Sequence, residues 1–194
     1  MTLYLIRHGK TRANEAHLYC GSTDLPLSQE GRRELEGLHY ALADVSFVTS
    51  GMLRTEQTLA ALFGPVDHRI DPDLREVDFG MFEMHSYDQL KDTPAYQTWL
   101  AGDNEANVPP GGESGVQMQR RVERALQRLL ESDTDTVVIA HGGVIAAMMQ
   151  KLFPQEGKNR YLWQPKPGRG YAIRDGKYWQ IPEPPAEEAE KLLP

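Results

Sequence analysis

Two short runs in this chain place a histidine and a glycine directly after an apolar segment. Leu3-Tyr4-Leu5-Ile6 runs into Arg7-His8-Gly9, and Thr136-Val137-Val138-Ile139-Ala140 runs into His141-Gly142-Gly143. Either run alone is a weak signal, because an Arg-His pair is often only a solvated loop. Together they read as two buried strands, each delivering an imidazole at its carboxyl end, where open α/β sheets build their sites. Arg54 and Glu76 fall at the same edge, and Lys10 to Asn14 can set hydroxyl and amide donors beside the first histidine. Two arginines with two histidines form an anion site, and the forked guanidinium matches phosphate oxygens. Backbone N–H groups of Gly142 and Gly143, opening a helix, add donors and dipole. An imidazole flanked by cations sheds its proton easily and leaves a ring nitrogen free to attack phosphorus. Phosphoryl transfer then needs an acid for the leaving alkoxide. Glu76 is the candidate, and such a group contributes roughly 10²–10⁴-fold.

The elements that must hold these groups follow from periodicity. Ser28 predicts an N-cap for a helix to about Asp44, with Leu35, Leu38, Ala41 and Leu42 at helical spacing. Val45 to Thr49 reads as a strand, and Met52 to Phe63 as a helix stopped by Gly64-Pro65. A short strand spans His68 to Ile70. Between Met81 and Gly115 the periodicity breaks, with one helix expected over Ser86 to Leu100 and a loop from Gly102 to Gly112. This stretch, 81–115, is expected to be a lid-like excursion over the site. Ser114 caps a long helix to about Ser132, and a further helix runs from about Gly143 to Phe153. Asp175-Gly176 predicts a tight hairpin between Tyr171–Arg174 and Lys177–Ile181. Strands alternating with helices imply a three-layer α/β/α sandwich with a mainly parallel sheet. One domain is expected over 1–181, followed by an acidic, proline-rich tail at 182–194 that is loose or a short surface helix.

Composition narrows the partners. The formal net charge is -7, which argues against a nucleic-acid binder and leaves room for a small anion held by a few arginines. No apolar run reaches the roughly 18 residues of a membrane helix, and no signal peptide is visible, so no membrane partner is expected. The single cysteine, Cys20, fits a reducing compartment, and the cytoplasm is the expected location. The hairpin edge near Tyr171 offers a route to a homodimer.

The motifs also carry a resemblance. Arg7-His8-Gly9 with Thr11 and Asn14, Ser50 to Thr58 around Arg54, Leu74-Arg75-Glu76 with Gly80 and Glu83, Pro110-Gly111-Gly112-Glu113-Ser114 and His141-Gly142-Gly143 stand in order along the chain. The set resembles the histidine phosphatase superfamily, the phosphoglycerate-mutase-like group, over nearly the whole length. That resemblance implies His8 as the phosphorylated nucleophile, with Arg7, Arg54 and His141 around the phosphoryl group and Gly142 beside it. It implies Asn14 as a supporting donor, Glu76 as acid and then base, a small phosphorylated metabolite as substrate, and no metal or cofactor. Lys10 stands where a glutamate is usual and Thr55 where an alanine is usual, neither expected to touch the chemistry. Gly21-Ser22 replaces the Gly-Trp pair common in the longer mutases, which favours a phosphatase. Phe79 to Met84, Tyr87 to Leu90 and Trp99 look most like the α-ribazole phosphatases of cobalamin assembly.

Blander readings stand beside these. His8 and His141 could be buried structural histidines, and Asp78 or Glu83 could take the acid's place. His85 reads as solvated, and His17, His39 and His68 as incidental. Trp99 and Tyr87 could stack on an aromatic substrate or only pack a helix. Arg120, Arg121, Arg124 and Arg128 read as the solvated side of a helix. A phosphoglycerate mutase and a catalytically silent phosphate-ligand binder are the competing functions.

Overall fold

Central strands buried on both faces explain the architecture of the computed structural model, which describes residues 1–103 and 105–182. The expected tail lies almost wholly outside them, at 183–194. Along the chain come β1 (Leu3–Arg7), α1 (Arg12–Glu15), α2 (Gln29–Glu36), β2 (Ser46–Thr49), α3 (Leu53–Phe63) and β3 (Arg69–Ile70). Then follow α4 (Tyr87–Leu90), α5 (Pro94–Leu100), α6 (Gly115–Leu130), β4 (Thr136–Ala140), α7 (Gly142–Leu152), β5 (Gly170–Arg174) and β6 (Lys177–Ile181). The strands form one sheet in the order β3-β2-β4-β1-β5-β6. β3, β2, β4 and β1 are parallel to one another, while β5 and β6 add antiparallel strands beside β1. The mainly parallel expectation holds for the half that matters here.

Leu3 and Leu5 of β1, with Val138 and Ala140 of β4, meet α6 and α7 on one face of the sheet. Ile6, Val137 and Ile139 meet Leu59 of α3 on the other, with Tyr40, Leu42 and Phe47 packed around them. That gives three layers. Each fully buried aliphatic side chain contributes about 1.5–3 kcal/mol, so the two central strands are the most strongly held elements. α6 starts where expected, because the Ser114 hydroxyl accepts from Gln117 N and the Gln117 side chain accepts from Ser114 N. Its buried stripe is Met118, Val122, Ala125, Leu126 and Leu129. The hairpin between β5 and β6 turns through Asp175 at φ 50° and Gly176 at φ 70°, the left-handed pair a tight two-residue loop requires.

Two helices are shorter than their spacing suggests. The helix opened by Ser28 stops at Glu36, with Gly37 as its cap. The apolar residues beyond it are spent differently: Tyr40 packs on Phe63 and donates its hydroxyl to Gly168 O at 2.6 Å. The expected helix over Ser86–Leu100 is two, α4 and α5, because Pro94 takes the first position of α5 and cannot continue the turn before it. Phe82, Leu90 and Tyr96, with Tyr19, Phe79 and Trp99 against them, give this stretch a small aromatic core of its own. Among the described residues no helix is long and apolar enough to cross a membrane.

Candidate active site

Parallel pairing brings the chemistry together. β1, β2 and β4 end at the same edge, with Arg7 opposite Ala140 and Thr49 opposite Ile139. The next residues are therefore neighbours: His8, Ser50 and His141. The ladder continues one step, as His8 N donates to Ala140 O at 2.9 Å. The two imidazoles stand edge to face with centroids 5.1 Å apart.

The hydrogen bonds assign the protons. His8 Nδ1 lies 2.7 Å from Gly9 O. A carbonyl can only accept, so Nδ1 carries the proton and Nε2 keeps its lone pair. Nε2 has no partner among the described residues, although His8 as a residue is only 5% exposed. Burial first, then Arg54 and Arg7, hold His8 well below the ordinary histidine range, so the ring stays neutral. His141 is likewise held well below it, by burial and then Arg54. Arg54 Nε lies 3.3 Å from His141 Nδ1, and a guanidinium can only donate, so the His141 proton sits on Nε2. Nε2 then donates to Ser50 Oγ at 2.9 Å, Ser50 to Thr55 Oγ1 at 3.1 Å, and Thr55 to Met52 O at 2.7 Å. Thr55, expected to be remote from the chemistry, is thus two hydrogen bonds from it. Lys10 does lie apart, paired with Glu34 at the surface.

Arg54 is 1% exposed, and its Nη1 and Nη2 donate to Thr23 O and Gly21 O at 2.9 and 2.7 Å. Arg7 Nη1 donates to Pro165 O, while its Nε is buried with no partner among the described residues. Neither arginine has a carboxylate within 4.0 Å among the described residues. Burial lowers the pKa of both guanidinium groups, by making each charge costly to hold. An anion between them would offset that cost.

Glu76 lies across this pocket, its Oε1 accepting from Val77 N at 3.0 Å and its Oε2 from Gly143 N at 2.9 Å. That uses one of the two helix-start donors expected for an anion, and leaves Gly142 N. The rival carboxylates are committed elsewhere. Glu83 accepts from the backbone of Gly21, Ser22, Thr23 and Phe79, pinning the loop whose carbonyls hold Arg54. Asp78 accepts from Ser22 Oγ and Gly80 N. Asn14 caps α1 reciprocally with Thr11 through its Oδ1, and its side-chain N–H groups stay unengaged among the described residues. His85, His17 and His39 do not line the pocket.

A cavity of about 320 Å³ opens on Arg7, Asn14 and Glu76. Arg7, Asn14, Glu76, Gly143 and Gln164 line its polar end, and Tyr19, Phe79, Trp99, Leu100 and Tyr161 the opposite wall. A wider groove of about 830 Å³ lies beside it, sharing Glu105, Gly115, Arg160 and Tyr161, and is lined by none of Arg7, Asn14 and Glu76. Tyr87 is exposed and outside the cavity, whereas Trp99 belongs to its wall. Among the described residues no three His, Cys, Asp or Glu side chains converge in a way that could hold a metal ion.

Sequence reasoning missed Ser50's contact with His141, the Gln164 side chain at the cavity and the role of α6. Arg121 is not solvated: its side chain is 14% exposed and bonded throughout. Arg128 binds Asp71 and Asp73, and Arg124 binds Asp73. The only sequence signal for these pairs is a basic face on α6 following an acidic turn at Asp71-Pro72-Asp73.

Comparison with known proteins agrees with this geometry. The family model of the histidine phosphatase superfamily (branch 1) matches residues 3–169. The adenosylcobalamin/α-ribazole phosphatase of Salmonella typhimurium is 30% identical over 182 residues, covering 89% of this chain and 90% of that one. A solved structure from Escherichia coli K-12, assigned as an α-ribazole-5′-phosphate phosphatase, superposes with a TM-score of 0.80 at 27% identity. It covers 93% of this chain and 94% of its own. A phosphoglycerate mutase structure from Thermus thermophilus is also similar, at 32% identity and a TM-score of 0.71, over 90% of this chain and 94% of that one.

Proposed function

This chain belongs to the histidine phosphatase superfamily, and on that footing we propose that it hydrolyses a phosphomonoester through a phosphohistidine on His8. The observation that carries the reading is the buried Arg54 and the half-buried Arg7, with no carboxylate within 4.0 Å among the described residues, around a neutral histidine whose Nε2 is unengaged among them. In the first step His8 Nε2 attacks phosphorus and the ester P–O bond breaks. Arg7, Arg54, Gly142 N and Asn14 hold the equatorial oxygens, where charge stabilisation counts most. His141, neutral and with its proton directed to Ser50, completes the pocket without competing for phosphorus. Glu76 gives its proton to the departing alkoxide. In the second step Glu76 takes a proton from water, the oxygen attacks phosphorus, and the N–P bond breaks to release phosphate.

For the substrate we propose α-ribazole 5′-phosphate or an ester of similar shape. Supporting this are the printed activity of the Salmonella relative and a wall of Tyr19, Phe79 and Trp99 on which a planar base can stack. The excursion at 81–115 supplies Trp99, Leu100, Glu105 and Glu113 to the cavity, which suits the role of a lid. The reading places the enzyme in the cytoplasm, where a single unpaired cysteine is expected, and allows a homodimer through the edge strand β6, since Tyr171, the expected edge, lies on β5 inside the sheet. The mutase reading keeps its own support, in the Thermus structure and in relatives named as probable phosphoglycerate mutases at 28% identity.

Phosphate release in EDTA from a panel of phosphomonoesters, with His8→Ala beside the wild type, tests the reading. The expected result is release that needs His8 and an acid-labile phosphoenzyme trapped on quenching. Release unaffected by His8→Ala would overturn it, and interconversion of 2- and 3-phosphoglycerate without net release would move the assignment to a mutase.

A further inference from the structure

Arg121 uses every N–H it has. Nε and Nη2 donate to the two carboxylate oxygens of Glu113 at 2.8 and 2.7 Å. Nη2 also donates to Glu76 O at 3.0 Å, and Nη1 donates to Asp73 O at 2.9 Å and to Arg75 O. Three carbonyls within four residues therefore converge on one guanidinium. Such convergence curls the backbone inward, and the described residues offer these carbonyls no other partner. The curl ends at Glu76, whose carboxylate is then received by Val77 N and Gly143 N.

Other contacts make the arrangement stiff. Arg121 sits on α6 between the buried residues Met118 and Val122, so its Cα cannot drift. Glu113, the residue before the cap of α6, donates its own N–H to Asp78 O at 2.8 Å. One turn and two turns further along the helix, Arg124 and Arg128 hold Asp73 and Asp71. The two outer arginines are about half exposed, although Asp71 itself is buried. Arg121 is the inner one, the only one of the three in contact with the backbone of Glu76.

We propose that Arg121 is a positioning residue for the acid of the reaction: it fixes the backbone of Glu76 so that the carboxyl reaches the leaving oxygen. The inference rests on the reading of Glu76 as acid given above. A group held in place by its backbone loses effect steeply with displacement, and a misplacement of about 1 Å can cost about 10²-fold. The loss has a signature. Protonation of the leaving group matters greatly for an alkoxide and little for p-nitrophenolate, which departs unaided. Simple destabilisation lowers the amount of active enzyme and depresses both esters alike.

The test measures kcat/KM, which covers only the steps through formation of the phosphoenzyme, for p-nitrophenyl phosphate and for the alkyl ester turned over fastest in the panel. Wild type, Arg121→Lys, Glu113→Gln and Glu76→Gln are compared. Lysine keeps the charge and cannot reproduce the fork. Arg121→Lys is expected to lower the alkyl-to-aryl ratio by about 10-fold to 10²-fold, in the same sense as Glu76→Gln and by less. An unchanged ratio in Arg121→Lys, with the ratio reduced in Glu76→Gln, overturns the inference and leaves the role of Glu76 standing. An unchanged ratio in Glu76→Gln removes both. If Arg121→Lys does not fold, Glu113→Gln decides, because it keeps the arginine and weakens two of its five bonds. Its ratio is expected to fall, and a ratio equal to wild type overturns the proposal.

Discussion

Glu76 stands where a side chain on residue 143 would have to be. A β-carbon added to Gly143 would lie 2.5 Å from Glu76 Oε1, while Gly143 N donates to Oε2 at 2.9 Å. The glycine is required by contact, and its backbone is ordinary helix.

Gly143→Ala is therefore expected to displace the carboxylate while leaving α7 intact, since alanine is the better helix former. Hydrolysis of an alkyl phosphate should fall by about 10²–10⁴-fold, the range for a lost general acid. Circular dichroism and thermal unfolding would verify that the fold survives. Near-normal turnover of the alkyl ester would show that Glu76 is not the proton donor.

Thr55→Val takes away the acceptor of the Ser50 hydroxyl. That hydroxyl must then turn towards His141 Nε2 and push the proton to Nδ1, against the Arg54 donor. The substitution should cost about 1–3 kcal/mol, the usual penalty for a buried polar group left unpaired. Nitrogen chemical shifts of His141 would register the altered tautomer. Thr55→Ser, which restores the hydroxyl, should recover both stability and shifts. If the valine variant is as stable as wild type, the relay is not holding His141.

Acid should weaken the fold through the same histidines. Both are held well below the ordinary value, about 6.5. In the unfolded chain each binds a proton as pH drops past that value, whereas the native rings resist. The unfolded state thus takes up more protons, so stability is fully present above the unfolded value and declines as pH falls towards the native pKa. Urea midpoints should decrease from pH 7.5 to 5.5, and the ring signals of His8 and His141 should stay fixed in that window. Ring signals that titrate near the ordinary value would contradict the assignment of neutral rings.

The uncompensated arginines predict stabilisation by anions. Inorganic phosphate should raise the midpoint of thermal unfolding, following the logarithm of concentration over Kd. Arg54→Gln should abolish that rise, while Lys10→Ala, at the surface pair with Glu34, should leave it unchanged. An equal rise in Arg54→Gln would place the anion elsewhere.

His8 and His141 are readable because each follows an apolar strand. Ile6 leads to His8 and Ala140 to His141, and buried strands announce themselves in composition. Caps were equally legible, as Ser114 and Gln117 show. What the sequence hid is whatever depends on partners far along the chain. Leu38, Ala41 and Leu42 keep helical spacing, but Gly37 ends the helix and Tyr40 instead finds Gly168, 128 residues away. Arg121 has the composition of a wet helix face, and only folding brings the carbonyls of Asp73 to Glu76 against it. Glu76, Asp78 and Glu83 are chemically interchangeable as letters. Their separate hydrogen bonds distinguish them.

The spacing of His8 and His141 is inherited from a ladder. They follow β1 and β4, adjacent parallel strands in register from Leu3 with Thr136 to Arg7 with Ala140, and neighbouring strands keep about 4.8 Å whatever their side chains. That backbone spacing is set by strand pairing and not by the side chains that line the site. The opposite wall has no such constraint: Trp99 and Leu100 end a seven-residue helix, and Tyr161 sits in a short turn. Natural variation can therefore exchange the ester recognised one wall residue at a time while the reacting pair is passed on unchanged. A lineage built on this plan should diversify in diet long before it diversifies in chemistry.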